Sequence, residues 1–272
     1  MMSFQGKVVV ITGASSGIGK ALAMEFAKKG AHIVLAARQY VRLCEITKDL
    51  EYKYSVRTLA IQTDVTKEED CKNLIQQAIF TMGKIDVLVN NAGISMRALF
   101  KDLDLAVLKQ IMDINFWGAV YCTKYALPEL LNSGGSVVGV SSIAGYKGLP
   151  GRTGYSASKF AMNGFLESLR VENLKTGLHV MLACPGFTAS NIRNVALNNE
   201  AKPQGESSMD EGKMMTAEEV AEKIVNGVSK RKRELIMTGQ GKLTVFLQKT
   251  FPSLLDKLVY NHFTKEKDPL IR

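Results

Sequence analysis

The stretch Lys7-Val8-Val9-Val10-Ile11-Thr12-Gly13-Ala14-Ser15-Ser16-Gly17-Ile18-Gly19 decides the fold. Its first half is a β-branched run without a polar break, the pattern of a parallel strand buried on both faces. Residues 17–29 follow with Ile18, Leu22, Met24, Phe26 and Ala27, a helical stretch that Gly30 stops. A glycine-rich turn between strand and helix aims backbone N–H groups and a helix N-terminus at one point, which suits a pyrophosphate. Gly13 permits the tight turn, Gly17 the close approach of phosphates, and Gly19 the packing of helix on strand. Ser15, Ser16 and Ile18 complete the candidate cradle. It is not a Walker loop, because Lys20 is followed by Ala21 rather than a hydroxyl residue.

The strand–helix unit recurs along the chain. Short apolar runs at 32–36, 58–62, 87–90, 136–140 and 179–183 predict strands, and stretches at 40–52, 67–82, 103–131 and 155–175 predict helices between them. Such alternation predicts an α/β fold with one doubly wound parallel sheet of Rossmann type. A polar insertion at 198–213, with Pro203 and Gly205, is expected to be a mobile loop. Thr216-Ala217-Glu218-Glu219 is a capping box that opens a helix with Val220, Ile224 and Val228 on one face, and 234–237 predicts a closing strand. Residues 241–263 read as two short helices parted at Pro252. No Pro-, Gly- or Ser-rich linker divides the chain. The expected organisation is one Rossmann-type domain over 1–240 and an amphipathic helical C-terminal extension over 241–272.

The 272 residues are 46% hydrophobic and 22% charged, which provides for a substantial core and excludes a largely disordered chain. Lys and Arg total 35 against 26 Asp and Glu, a formal charge of +9. Ten of those basic residues and four of the acids lie beyond residue 227, so most of the excess is C-terminal. A phosphate-bearing ligand, an anionic membrane surface or a nucleic acid would each suit it. Lys230-Arg231-Lys232-Arg233 sits between a helix and a strand and reads as a solvated turn, so no nucleic-acid partner is expected. Cys44, Cys71, Cys122 and Cys184 lack ligand or redox spacing, and His32, His179 and His262 are far apart; no metal site is expected. Residues 8–11 are too short for a signal peptide, and the uncharged stretches 130–146 and 176–192 are interrupted by Gly, Ser or Pro. A cytoplasmic location in a reducing compartment is expected.

The second strand ends Leu35-Ala36-Ala37-Arg38. NAD binders tend to carry an acid there for the adenosine ribose. Here the acid is missing and a guanidinium stands beside the gap, suited to a 2′-phosphate, so NADP(H) is the expected cofactor. Tyr155-Ser156-Ala157-Ser158-Lys159 opens a helix, and Tyr155 and Lys159, four apart, share a face. A phenol with a pKa of about 10 is a poor acid or base near neutrality, and a neighbouring ammonium favours its phenolate form. Ser141-Ser142 supplies hydroxyls at a strand end facing the same crevice.

With these residues in place, the chain resembles the short-chain dehydrogenase/reductase family over nearly its whole length, on its lipid- or steroid-type carbonyl reductase branch. The resemblance is carried by Thr12 to Gly19, Asp64-Val65, Asn90-Asn91-Ala92-Gly93, Asn115, Ser142, Tyr155, Lys159 and Pro185-Gly186. It implies that Tyr155 is the general acid/base and that Ser142 steadies the substrate oxygen. Lys159 would lower the tyrosine pKa and hold the nicotinamide ribose, and Asn115 would support a water chain to Lys159. Asp64 and Val65 would flank the adenine, Asn91, Ala92 and Gly93 would line the cofactor floor, and Thr188 or Ser190 would touch the carboxamide. Many NADP-binding members carry a basic residue in the glycine loop where Ser16 stands here. Similar enzymes pair the helix of Trp117 between subunits, so a homo-oligomer, dimer or tetramer, is expected, with Trp117 at the interface or in the core.

The function this implies is hydride transfer between NADP(H) and a ketone or secondary alcohol. The substrate pocket is expected from residues 94–101, 144–154 and 191–213. The extension offers apolar residues at Leu243, Val245, Phe246, Leu247, Leu254, Leu255, Leu258, Val259 and Phe263, ringed by Lys242, Lys249, Lys257, Lys265 and Lys267. It reads either as a helical lid on the core or another subunit, or as a rim that touches anionic lipid and admits an apolar, steroid- or lipid-like substrate. The rival readings are a nucleotide-sensing scaffold without turnover and a reductase of small polar ketones.

Overall fold

The computed structural model describes residues 2–188, 195–205, 214–265 and 269–271. Seven parallel strands form one sheet in the order β3-β2-β1-β4-β5-β6-β7. They are β1 (Val8–Thr12), β2 (His32–Ala37), β3 (Thr58–Gln62), β4 (Val87–Asn90), β5 (Ser136–Val140), β6 (His179–Cys184) and β7 (Glu234–Ile236). Period-two alternation divides their side chains between two cores. Val9, Ile11, Ile33 and Leu35 pack with helices α1 (Gly17–Lys28), α2 (Tyr40–Tyr54) and α7 (Ala217–Ser229). Val8, Val10, Val34 and Leu88 pack on the other face with α3 (Glu68–Met82), α5 (Gly118–Asn132) and α6 (Thr153–Glu172). Strands buried on both sides account for the unbroken apolar runs. The strand order reverses between β1 and β4, and a crevice opens there beyond the strand ends, where ligands of such sheets bind.

One predicted helix is broken. Residues 103–131 form α4 (Leu105–Met112), a π-turn at Asp113–Trp117, and α5. A Cβ on Gly118 would stand 2.8 Å from Val65 Cβ, so α5 lies hard against the loop after β3. The widened turn ahead of it carries Asn115, as such turns often do at functional positions. Trp117 is not in the core; it is 43% exposed and stacks on Tyr121.

The capping box at Thr216 and Glu219 closes in both directions. Arg231 donates to the Gly134 and Gly177 carbonyls and Arg233 pairs with exposed Glu167, so the basic run is a surface turn. All four cysteines are free thiols, three of them buried. Part of the 198–213 insertion, residues 206–213, lies outside the described residues. Its first part is ordered: Asn198 Oδ1 accepts from the backbone of Glu200 and Lys202, and Gln204 donates to the Arg97 carbonyl. After β7 come α8 (Gly239–Thr250) and α9 (Pro252–Phe263), with Pro252 at the start of α9. No helix among the described residues is long and apolar enough to cross a membrane.

Candidate active site

The turn after β1 is built for close contact. Gly13 has φ +64, a backbone conformation that disfavours any side chain. A Cβ on Gly19 would collide with the Gly13 carbonyl, so helix α1 can approach the strand only through a glycine. Thr12 and Asn91 stitch this turn to the β4 loop. Thr12 Oγ1 accepts from the N–H groups of Asn91 (3.0 Å) and Ala92 (3.1 Å), and Asn91 Nδ2 donates to the carbonyls of Thr12 (2.9 Å) and Gly13 (3.2 Å).

A cavity of about 1170 Å³ opens from this turn across the strand ends. Single-ligand pockets span roughly 300–1,000 Å³, so the space admits a dinucleotide and a second molecule. At one end stand Gly13, Ser15, Ser16, Gly17, Ile18 and Arg38. Asp64, Val65, Asn91, Ala92 and Gly93 line the floor, and Pro185, Gly186 and Thr188 the far wall. Ser142, Tyr155 and Lys159 meet in the middle. Of the candidate catalytic and cofactor-binding residues, Gly19 and Asn115 do not line the cavity. Gly19 acts behind the turn, and Asn115 is fully buried below the cavity wall. Ser190 lies outside the described residues.

Asn115 uses both of its donors and its oxygen. Its Oδ1 accepts from Ile94 N (2.8 Å), and its Nδ2 donates to Ile94 O (2.9 Å) and to Ser158 Oγ (2.9 Å). Ser158 in turn donates to the Tyr155 carbonyl at 2.7 Å. A Cβ on Gly93 would stand 3.2 Å from Asn115 Oδ1 and 3.6 Å from Lys159 Nζ, so the two side chains face each other across that glycine.

Lys159 is buried, donates to the Val140 carbonyl at 2.9 Å, and lies 5.7 Å from the Tyr155 ring centroid. Burial lowers its ammonium to about 8. The Tyr155 phenol is held above its ordinary value. Burial raises it, and the hydrogen bond with Ser142 and the nearby Arg152 guanidinium offset part of that rise. Burial outweighs the lowering influences of Ser142 and Arg152 on the phenol. Cys184, at the end of β6 beside Lys159, is a buried thiol pushed up to about 12, so it is inert as a nucleophile.

Arg97 and Arg152 line the cavity from the expected pocket segments 94–101 and 144–154, whereas Arg42, Thr63 and His262 had no expected place in it. Arg42, four residues beyond Arg38, donates through Nε to the Ser15 carbonyl (3.2 Å) and faces the same end of the cavity. Its spacing on the opening turn of α2 is a signal that basic residues near Arg38 deserved a joint reading. Buried Thr63 lies nearby. At the other end stand Arg97, Arg152 and His262, with Leu243, Leu247, Leu255 and Phe263 from α8 and α9. No local sequence signal carries α9 back to residue 152; only the packing of the extension does.

The donor set fits a nicotinamide dinucleotide: a glycine cradle that a Cβ would fill, two guanidiniums at its outer end, and a hydroxyl–phenol–ammonium group at its inner end. Comparison with known proteins gives the same class. The family model described as short chain dehydrogenase matches residues 7–201, and the chain belongs to that family of oxidoreductases. Among its relatives, 11-beta-hydroxysteroid dehydrogenase 1A of Arabidopsis thaliana is 34% identical, the match covering 92% of this chain and 74% of that protein. An 11-beta-hydroxysteroid dehydrogenase of Pinus massoniana is 38% identical, over 97% of this chain and 78% of its own. Among solved structures, an alcohol dehydrogenase from the archaeon Thermococcus sibiricus, complexed with 5-hydroxy-NADP, is 26% identical with a TM-score of 0.73, over 85% of this chain and 95% of that one. A short-chain dehydrogenase/reductase from Burkholderia phymatum, in complex with NAD, shares the fold with a TM-score of 0.83 at 24% identity, over 93% and 96%.

Proposed function

We propose that the protein is an NADP(H)-dependent oxidoreductase that interconverts an apolar ketone and its secondary alcohol. The observation that carries this reading is the meeting of Ser142, Tyr155 and Lys159 in one cavity continuous with the glycine turn. The bound cofactor supplies or takes up the hydride. Tyr155 gives its phenolic proton to the substrate oxygen in reduction and takes one in oxidation. Ser142, which lines the same cavity beside Tyr155, holds the same oxygen. With the cofactor bound, Lys159 would hold the ribose hydroxyls, and Asn115 fixes the wall across Gly93. A panel of ketones offered with NADPH tests the reading; no consumption on any of them would favour a sensor without turnover.

NADP(H) is favoured over NAD(H) by the outer end of the cavity. Ala37 stands where an acid would repel a 2′-phosphate, and Arg38 and Arg42 both face that end. Asp64, the one acid lining the cavity among the described residues, is engaged by Thr66 N and Oγ1. NADPH is expected to bind at least about tenfold tighter than NADH, or about 1.4 kcal/mol. Ala37→Asp with Arg38→Leu should reverse the preference, and Arg42→Ala should weaken NADPH alone. Fluorescence titration checks this, and equal affinities in the unaltered protein would refute it.

The extension favours an apolar substrate and contact with lipid. Leu243, Phe246, Phe251, Leu254, Leu258 and Tyr260 are exposed on α8 and α9, among exposed Lys242, Lys249, Lys257 and Lys265. Leu243 and Leu258 also line the cavity, so its mouth and this apolar face are continuous. Each lysine near an anionic surface adds roughly 1 kcal/mol. Steroid or long-chain ketones are expected to give higher kcat/KM than small polar ones, and the protein should bind anionic vesicles at low salt. Phe246→Ser with Leu254→Ser should abolish that binding. A protein that ignores vesicles and prefers sugars or hydroxy acids would defeat this reading. Pairing of two copies through exposed Trp117 on the π-turn and Phe160 and Val171 on α6 belongs to the same proposal.

A further inference from the structure

Residues 143–154 join Ser142 to Tyr155, the two groups proposed to hold the substrate oxygen. The segment begins with one short turn, Ile143–Gly145, held by α6 through Asn163 Nδ2 to the Gly145 carbonyl (3.0 Å) and by β7 through Tyr146 and Glu234. Its middle, 147–152, has little order of its own. Gly148 has open space where a side chain would be, Pro150 has no donor, and Gly151 sits at φ +69. Its backbone is fixed by one internal bond, Arg152 N to the Leu149 carbonyl (3.1 Å), by Lys147 N to the Ile143 carbonyl (3.0 Å) and Ser156 N to the Arg152 carbonyl (2.8 Å) at its two ends, and by Leu149 N to Ser156 Oγ (3.3 Å) and Ala98 N to the Gly151 carbonyl (3.0 Å).

Among the described residues, the C-terminal extension supplies several side-chain contacts to this segment. Buried Lys147 is ion-paired to Asp256 of α9. The Arg152 guanidinium lies over the Phe263 ring, 5.5 Å from its centroid. Leu270 Cδ1 fills the place beside Gly151, 2.5 Å from where a Cβ would stand. Ile143 Cδ1 packs on α8 at Gly241, where a Cβ would be 2.7 Å away. An ammonium withdrawn from water needs its carboxylate, so the Lys147 pair pins the segment to α9 and not merely beside it.

We infer that the C-terminal extension is a positioning element of the active site: through Asp256 and Phe263 it holds segment 147–152, and so sets Ser142 against Tyr155. The inference rests on the roles proposed for those two residues. Asp256 and Phe263 touch neither reacting group; they act through Lys147 and Arg152. A displacement of about 1 Å at a catalytic group can cost on the order of 100-fold in rate, so a slack segment is felt in turnover before it is felt in the fold.

The test is Asp256→Asn and Asp256→Glu in the full chain, read by hydrogen–deuterium exchange without substrate and by steady-state kinetics on the best ketone. Asp256→Asn should speed exchange in 147–155 while α1 and the glycine turn stay protected. Its kcat should fall about tenfold or more, with NADPH affinity within about twofold of the unaltered protein. Asp256→Glu, which keeps the charge, should recover most of that kcat. Should Asp256→Asn fail to fold, Lys147→Met, which removes the other half of the ion pair at a residue that does not line the cavity, carries the same two readouts. Unchanged exchange in the segment, or faster exchange with unaltered kcat, overturns the inference. Failure of the unaltered protein to turn over any ketone would sink the proposed function instead, and exchange would still decide whether the extension holds the segment.

Discussion

Tyr155→Phe is expected to lower kcat by about 10²–10⁴-fold, the range for loss of a positioned acid or base, while NADPH affinity stays nearly unchanged. The ring remains in place against the cavity wall, and the substitution removes one hydroxyl beside Ser142. A single hydrogen bond is worth about 1 kcal/mol net, so thermal stability should shift by no more than a few degrees. Burial keeps the phenol protonated through neutral pH, which has a directional consequence. Ketone reduction needs the proton on Tyr155 and should be flat across neutrality. Alcohol oxidation needs it off and should rise with pH. Stopped-flow or steady-state kinetics in both directions, with cofactor titration beside them, checks the whole set. More than a tenth of the original kcat surviving in Tyr155→Phe would remove Tyr155 from its proposed role.

Lys159→Met should abolish turnover and make the ligand-free protein more stable. Burial lowers the ammonium from 10.5 to about 8, so folding carries a penalty on the order of 3 kcal/mol for keeping it charged. Met fills similar space without the charge, at the loss of one donor to the Val140 carbonyl. The net gain is about 1–3 kcal/mol, or several degrees in Tm for a chain of this size. Because the folded pKa lies below the unfolded one, the penalty is complete below about pH 8 and fades as pH rises from 8 toward 10.5. The gain of the variant should therefore be largest near neutral pH and shrink above 8. Calorimetry at pH 7 and pH 10 reads both. A variant less stable than its parent at pH 7 would show that Lys159 is not held at a cost.

The strands and the glycine turn were legible locally because each depends on short-range chemistry. Val8 to Ile11 is apolar on both faces because the sheet is covered twice, and a run of four suffices to see it. Gly13 and Gly19 report a turn and a close approach that no other residue allows. The break of the predicted helix 103–131 was not legible. The π-turn precedes the point where α5 docks through Gly118 against Val65, a contact between segments more than fifty residues apart. Asn115 was found by family pattern, while its bonds to Ile94 and Ser158 exist only once α4, α6 and the β4 loop meet.

By itself, the sequence determined the strand–helix alternation and the glycine turn, and it pointed to Ser142, Tyr155 and Lys159 as candidates, all encoded within a few residues of one another or at a strand end. Tertiary structure alone decided that burial dominates Tyr155 and Lys159, that Arg42 joins Arg38, and that α9 reaches back to Lys147 and Arg152. The physical reason is range. Backbone preferences and side-chain periodicity act over a few residues, whereas desolvation and ion pairing depend on whatever the folded chain brings within a few ångströms, here residues more than a hundred apart in the case of Lys147 and Asp256.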